Sequence, residues 1–241
     1  IVFTLVSRMG RYMRLYLLIF GERKGRIQIL PQRKRRITMY CKFWKRALDF
    51  ILSFTAIVLF FWLFLILILC IKITSPGPVL FRQKRVGIHK TYFSMLKFRT
   101  MRTDTPKDVP THLLANPDQY ITPIGRFLRK TSLDELPQLF NILFGDMAII
   151  GPRPALWNQE DLIAEREQYG ANDIRPGLTG WAQINGRDEL EIPVKAKFDG
   201  EYVKRMSFLF DLKILFGTIR SVAVQDGVKE GGTGNGQGHG K

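Results

Sequence analysis

The chain has 241 residues, 46% of them hydrophobic, with a formal net charge of +16. That length holds one domain with its own core plus an appendage. Cys41 lies among basic residues and Cys70 inside an apolar run, while His89, His112 and His239 are scattered. This usage excludes a disulfide scaffold and a histidine metal centre, and fits a reducing cytoplasm.

The charge is uneven. Residues 1–46 carry 13 Lys or Arg against one acid, Glu22, so the basic character belongs mainly to an N-terminal arm. Such arms suit nucleic acid or anionic lipid. Within it, "IVFTLVSRMGRYMRLYLLIF" spaces Arg8, Arg11 and Arg14 by three, as an interfacial helix would. "GERKGRIQILPQRKRR" follows as a solvated basic linker. Met39 precedes a short basic lead into an apolar run, so residues 1–38 read as an upstream extension or the remnant of a longer protein. The arm lacks the interleaved aromatic and arginine pattern of base stacking, and no nucleic acid is expected as a partner.

Residues 50–71, "FILSFTAIVLFFWLFLILILCI", contain no charge. As one helix they would cover about 33 Å, enough to cross a bilayer. A buried core helix is rarely apolar on every face for so many turns. Lys42, Lys45 and Arg46 stand before the run, and Lys72, Arg82, Lys84 and Arg85 after it. The positive-inside rule places both flanks in the cytoplasm, which a re-entrant helix satisfies and a straight span does not. Gly and Pro are absent between 47 and 74, so re-entry has to come without a helix breaker.

From residue 72 onward the pattern is mixed helix and strand. "SPGPV" is a turn, and "VLFRQKRVG" and "TYFSMLKFRTM" read as two short strands around a glycine turn. Residues 103–118 are polar and loop-like. "PIGRFLRKTSLDELPQLFNILFG" is helical but interrupted near its middle, and "ALWNQEDLIAEREQYG" is an amphipathic helix ended by Gly170. "KFDGEYVKRMSFLFDLKILFGTIRSVAVQ" gives one or two further helices, and "KEGGTGNGQGHGK" is flexible by composition. The division that follows is a basic extension over 1–41, a membrane-inserted helix over 42–73, a catalytic domain over 74–228 and a flexible tail over 229–241.

Four stretches carry candidate chemistry. "KTSLDELPQLFN" sets Asp134 beside Glu135; Ser132 and Glu135 also fit the S-x-x-E capping box. "GDMAIIGPRP" presents Arg153 between two prolines, a stiff setting for a guanidinium that grips phosphate. "RPGLTGWAQINGR" packs Arg175, Arg187, Trp181, Asn185 and three glycines together. Its glycines would let backbone approach a ligand, and its tryptophan either stacks on a base or plugs the core. "KFRTM" puts Lys97 and Arg99 on one side of a strand, since side chains alternate.

These motifs, in the order "KRALDF", "SPGPVLFRQKRVG", "KFRTM", "LRKTSLDELPQLFNILFGDMAIIGPRP", "RPGLTGWAQINGR" and "SFLFDLK", resemble the monotopic bacterial phosphoglycosyl transferases. The resemblance runs from residue 42 to about 230 and is closest to the small members that start glycan assembly on polyprenyl phosphate. It implies an α+β fold: a re-entrant, membrane-inserted N-terminal helix joined to a small, helix-rich cytoplasmic catalytic domain with a few short strands. It implies transfer of a sugar-1-phosphate from a UDP-sugar to a polyprenyl (undecaprenyl) phosphate at the bacterial inner membrane, with release of UMP.

The resemblance also assigns roles. Asp134 matches the nucleophile of a covalent phospho-sugar intermediate and the ligand of Mg2+, with Glu135 its partner. A helix N-terminus would keep Asp134 ionised. Arg129, Arg153, Lys97 and Arg99 match phosphate holders, and Arg175, Trp181, Asn185 and Arg187 the nucleotide-side loop. Membrane lipid and downstream glycosyltransferases are implied partners. In the family a Ser-Pro pair breaks the apolar helix; Phe61-Trp62 stand there in this chain. Sugar hydroxyls have no motif counterpart, so diacetylbacillosamine, galactose and N-acetylated hexosamines stay open as donors. A membrane-anchored basic binding protein, or an inactive scaffold of a glycan-assembly complex, is the alternative.

Overall fold

The computed structural model describes residues 40–105, 117–186 and 190–224. The basic arm before Tyr40, most of the polar loop, Arg187 and the glycine-rich tail lie outside the described residues.

The apolar run is two helices rather than one. Helix α1 covers Lys45–Leu59 and α2 covers Phe61–Thr74. Their axes bend by 63°, and no single described helix is long and apolar enough to cross a membrane. Phe60, at φ −92° and ψ 12°, forms the joint. Its N–H still bonds Ala56 O, and Phe64 N–H bonds Phe60 O, so helical bonding resumes on either side.

The bend needs no proline because each arm is fastened to the same domain. On α1, Arg46 donates to Ile142 O and Leu143 O at 2.5 and 2.8 Å, and Asp49 accepts from Ile149 N–H at 2.9 Å. Lys45 pairs with Asp211 at 2.7 Å. On α2, Phe64, Leu67 and Ile71 are buried in the main core with Phe98, Leu128 and Ile142. A straight continuation of α1 would forfeit that burial, each large side chain being worth about 1.5–3 kcal/mol.

The two strands expected around the glycine turn form. Strand β1, Leu80–Val86, runs antiparallel to β2, Tyr92–Phe98, with Leu80 opposite Phe98. Helix α3, Pro123–Lys130, starts at Thr122, whose Oγ1 accepts Gly125 N–H at 3.0 Å, and carries proline in its first turn. A 3-10 turn, Leu133–Glu135, interrupts the pattern, and α4, Gln138–Phe144, resumes it and ends on Gly145 at φ 94°.

A second, parallel pair goes beyond the sequence reading. Strand β3, Ala148–Ile150, lies beside β4, Gly177–Thr179. The glycines of "RPGLTG" serve this contact: a Cβ on Gly177 would lie 2.1 Å from Gly151 N, and one on Gly180 2.1 Å from Gly151 O. Backbone meets backbone there, which corrects the expectation that Gly177 and Gly180 admit a ligand.

Helix α5, Glu160–Glu167, is followed by Gly170 at φ 68°, and short α6 covers Trp181–Ile184. The last helical stretch is two helices, α7 (Ile192–Arg205) and α8 (Phe208–Val224). A second core gathers Ile150, Tyr202, Met206, Phe210 and Ile214. Tyr202 OH donates to Asp211 at 2.8 Å, so the acid that pairs with Lys45 also joins α1 to the last two helices.

Candidate active site

Lys97 is the next-to-last residue of β2. Phe98 turns into the core, so Lys97 points the other way and meets the turn Leu133–Glu135. Its Nζ donates to Glu135 Oε1 at 2.8 Å and lies 3.8 Å from Asp134 Oδ2. Arg153 donates to the same Glu135 oxygen at 3.0 Å. The loop carrying Arg153 is stiff, as its prolines suggested: Gly177 N–H bonds Pro152 O at 2.8 Å, and Arg85 donates to Pro154 O at 2.9 Å.

Arg129 arrives from the last turn of α3, with Nε donating to Thr100 Oγ1 at 3.0 Å. Helix α3 reaches Thr100 because Gly125 has no side chain; a Cβ there would lie 2.0 Å from Thr100 O. The structure thus gathers Lys97, Asp134, Glu135 and Arg153, with Arg129 close enough to act on the Asp134 charge.

The two acids are unlike. Burial pushes Glu135 up, but the charges and hydrogen bonds of Lys97 and Arg153 outweigh it and hold its carboxyl well below the usual range. Asp134, 9% exposed, accepts no hydrogen bond from the described residues. Burial raises its pKa above the ordinary 3.8, and the Glu135 charge adds to this against the opposing pull of Lys97, Arg129 and Arg153.

Several expectations are corrected here. Ser132 has left-handed backbone, φ 56°, and caps nothing through its side chain, so no capping box forms. Glu135 is already taken by two cations. The turn at Asp134 is three residues long, too short to present a helix N-terminus to its carboxylate, and burial raises the Asp134 pKa.

Arg99 parts company with Lys97. The strand ends at Phe98, and Arg99 is 5% exposed, donating to Ser75 O and Pro76 O at 2.7 Å each. It fastens the end of α2 rather than facing a phosphate. Arg175 donates to Gly145 O at 3.0 Å and closes the end of α4. Trp181 packs at 5.0 Å from the Phe210 ring and donates to Glu201, so it plugs the second core. Asn185 bonds Trp181 O at 2.7 Å, one turn back. Arg187 lies outside the described residues.

The family description bacterial sugar transferase matches residues 40–225. The chain belongs to the bacterial sugar transferase family. EpsL of Bacillus subtilis, named an uncharacterized sugar transferase, is 43% identical over 185 residues, covering 76% of this chain and 87% of that protein. The UDP-glucose:undecaprenyl-phosphate glucose-1-phosphate transferase of Escherichia coli is 37% identical over 211 residues. The match covers 82% of this chain but 44% of that one, so this chain spans less than half of the larger relative. The exopolysaccharide production protein ExoY of Rhizobium meliloti is 36% identical over 197 residues, 76% of this chain and 87% of its own.

In this sugar transferase three residues to which the sequence reading gave no part in the site build its frame. Thr100 holds Arg129, while Arg46 and Asp49 bind the apolar helix to α4 and β3. Asp49 carried a signal: it is the one acid at the mouth of a run otherwise free of charge.

Proposed function

We propose that the chain transfers a sugar-1-phosphate from a UDP-sugar to a polyprenyl phosphate through a covalent intermediate on Asp134. The observation that carries this is the asymmetry of the acid pair. Glu135 is committed to Lys97 and Arg153, while Asp134 accepts no hydrogen bond from the described residues and has Lys97 at 3.8 Å. A nucleophilic carboxylate needs a free oxygen, and a diphosphate needs positive charge around it.

An Asp134 oxygen attacks the phosphorus that carries the sugar. A phosphorus–oxygen bond forms there, and the bond to UMP breaks with its electron pair leaving on UMP. An oxygen of the polyprenyl phosphate then attacks the same phosphorus and returns Asp134 as a carboxylate. Lys97, Arg129 and Arg153 balance the charge in both steps. Glu135 positions Lys97 and Arg153 rather than reacting.

Among the described residues no three Asp, Glu, His or Cys side chains form a metal cluster. Magnesium takes one or two carboxylates and fills its shell with substrate phosphate and water, and Asp134, whose carboxylate accepts no hydrogen bond from the described residues, offers one. Asp134 would hold it, and when bound it would shield the diphosphate charge.

The setting proposed is the cytoplasmic face of the bacterial inner membrane, with residues 42–73 inserted and returning and 74–228 catalytic. Support comes from the bent pair, whose outward residues Leu59, Trp62, Leu69 and Ile73 are 61–75% exposed. An apolar surface so open is what a membrane or protein contact requires, and it supports insertion. Both ends of the pair are tied to one domain. The E. coli relative's name makes UDP-glucose the first donor to try.

The experiment is UMP release from a panel of UDP-sugars with undecaprenyl phosphate and magnesium. One sugar is expected to turn over, and Asp134→Asn to lose about 10^3-fold or more, as removal of a nucleophile does. Wild-type turnover by the variant would end the proposal.

A further inference from the structure

Among the described residues, three buried side-chain atoms lack a hydrogen-bond partner: Arg99 Nε, Gln183 Oε1 and Gln138 Nε2. Arg99 is fastened through its other two nitrogens, and Gln183 through Nε2, which donates to Leu178 O at 3.0 Å. Gln138, 1% exposed, makes no such second bond within the described residues. An amide shut away from water without a partner is costly, and a native fold that keeps one has a reason for it.

Its place supplies the reason. Strand β2 pairs with β1 on one edge, and on the other Asn141 of α4 accepts from Leu96 N–H and donates to Ser94 O, both at 2.9 Å. Glu135 meets Lys97 of the same strand at 2.8 Å. Gln138 stands midway, three residues from each, and Leu136 and Pro137 have right-handed helical backbone. A spacing of three keeps side chains on one side of such a turn. Glu135, Gln138 and Asn141 thus form one stripe along β2, with Gln138 beneath the ion-paired acid. Glu135 has the matching need. Lys97 and Arg153 both donate to its Oε1, and Oε2 accepts no hydrogen bond from the described residues. A donor without an acceptor and an acceptor without a donor therefore lie one turn apart.

We propose that Gln138 is a positioning residue: when a diphosphate draws Lys97 and Arg153 away, its amide donates to Glu135 and keeps that carboxylate in place. The inference rests on the reaction proposed above and gives its cations a second state. A bound diphosphate competes for the two side chains that pair with Glu135. A buried carboxylate stripped of its cations is expensive unless another donor replaces them. In the substrate-free state the amide has no partner, so that state is less stable than it could be. The shift to the substrate-bound state is easier by the same amount.

The test uses the full chain in lipid nanodiscs with magnesium. It measures ligand-free Tm and UDP affinity by calorimetric titration for wild type, Gln138→Met, Glu135→Ala and the double variant. Methionine keeps the length of the side chain and removes the amide. Gln138→Met should raise Tm by about 2–6 °C, because an unpaired buried donor is gone. It should also weaken UDP binding about tenfold. In the Glu135→Ala background the same change should leave UDP affinity within about twofold, since the acceptor is absent. A Tm at or below wild type in both Gln138→Met and Gln138→Leu would mean that the amide is paired in the resting state, and would overturn the proposal. So would UDP affinity unchanged in Gln138→Met, or weakened equally with and without Glu135. The expected UDP cycle in a protein that releases UMP from no UDP-sugar would sink the reaction and leave the exchange standing. No UDP binding by the wild type would sink the donor assignment and the exchange together.

Discussion

Asp134 and Glu135 are neighbours in the chain with opposite effects on stability. Glu135 is held below its ordinary 4.5 by Lys97 and Arg153, so its ionised form is favoured in the folded state. Its contribution is present above pH 4.5 and lost as the pH falls through the folded value. Asp134 is raised above 3.8 by burial, so the folded state keeps its proton more tightly than the unfolded one. Stability falls as pH rises from 3.8 through the folded pKa, and the penalty is complete above it. In metal-free thermal melts at pH 7, Asp134→Asn should raise Tm and Glu135→Gln should lower it. The Asp134→Asn difference should shrink as the pH falls through the raised folded pKa toward 3.8, and the Glu135→Gln difference as the pH falls below 4.5. A Tm for Asp134→Asn below wild type at pH 7 would contradict the assignment.

Arginines separate in the same way. Arg99→Ala removes two buried hydrogen bonds to carbonyls and should cost about 2–3 kcal/mol of stability in denaturant unfolding. Arg153→Ala, at a part-exposed loop, should leave stability within about 1 kcal/mol and reduce turnover instead. Equal stability losses would contradict this division.

At the level of elements, the close approach of α3 to Thr100 sets the position of Arg129. Gly125→Ala should destabilise by about 1–3 kcal/mol through overpacking and lower turnover as Arg129 is displaced. Gly170→Ala is a fair comparison, since nothing lies within 4 Å of its Cβ, and only its positive φ opposes the change.

The hairpin β1–β2 was legible because seven-residue strands alternate visibly. The pair β3–β4 was not, because three residues cannot display a period, and their glycines look like a ligand loop. The helix bend was invisible in composition because it is imposed by anchors far away in sequence, such as Ile149 and Ile142. Lys97 and Arg99 share strand parity, and the strand's end at Phe98 separates them. Asp134, Glu135 and Arg153 stood out only through an ordered set of motifs. That Trp181 fills a core is set by Phe210 and Glu201, both more than fifteen residues away.

For the whole molecule, the bent pair and the cationic acid pair form one device. Helix α2 supplies part of the main core and Arg99 fixes its end, so the bent pair and the candidate active site are mechanically linked. Arms of 15 and 14 residues are about 22 and 21 Å long, short of a ~30 Å hydrocarbon core. In a chain with Cys41 and Cys70 replaced by serine, single cysteines at Phe43 and Pro76 should both label from the cytoplasmic side. Labelling from opposite sides would mean a straight span and contradict the re-entrant reading.

The most direct test of the central claim is intact-protein mass after incubation with a turning-over UDP-sugar and no lipid acceptor, followed by peptide mapping. The account predicts one added sugar phosphate, carried on Asp134, absent from Asp134→Asn and discharged by undecaprenyl phosphate. An adduct on another residue, or full turnover by Asp134→Asn without any adduct, would contradict it.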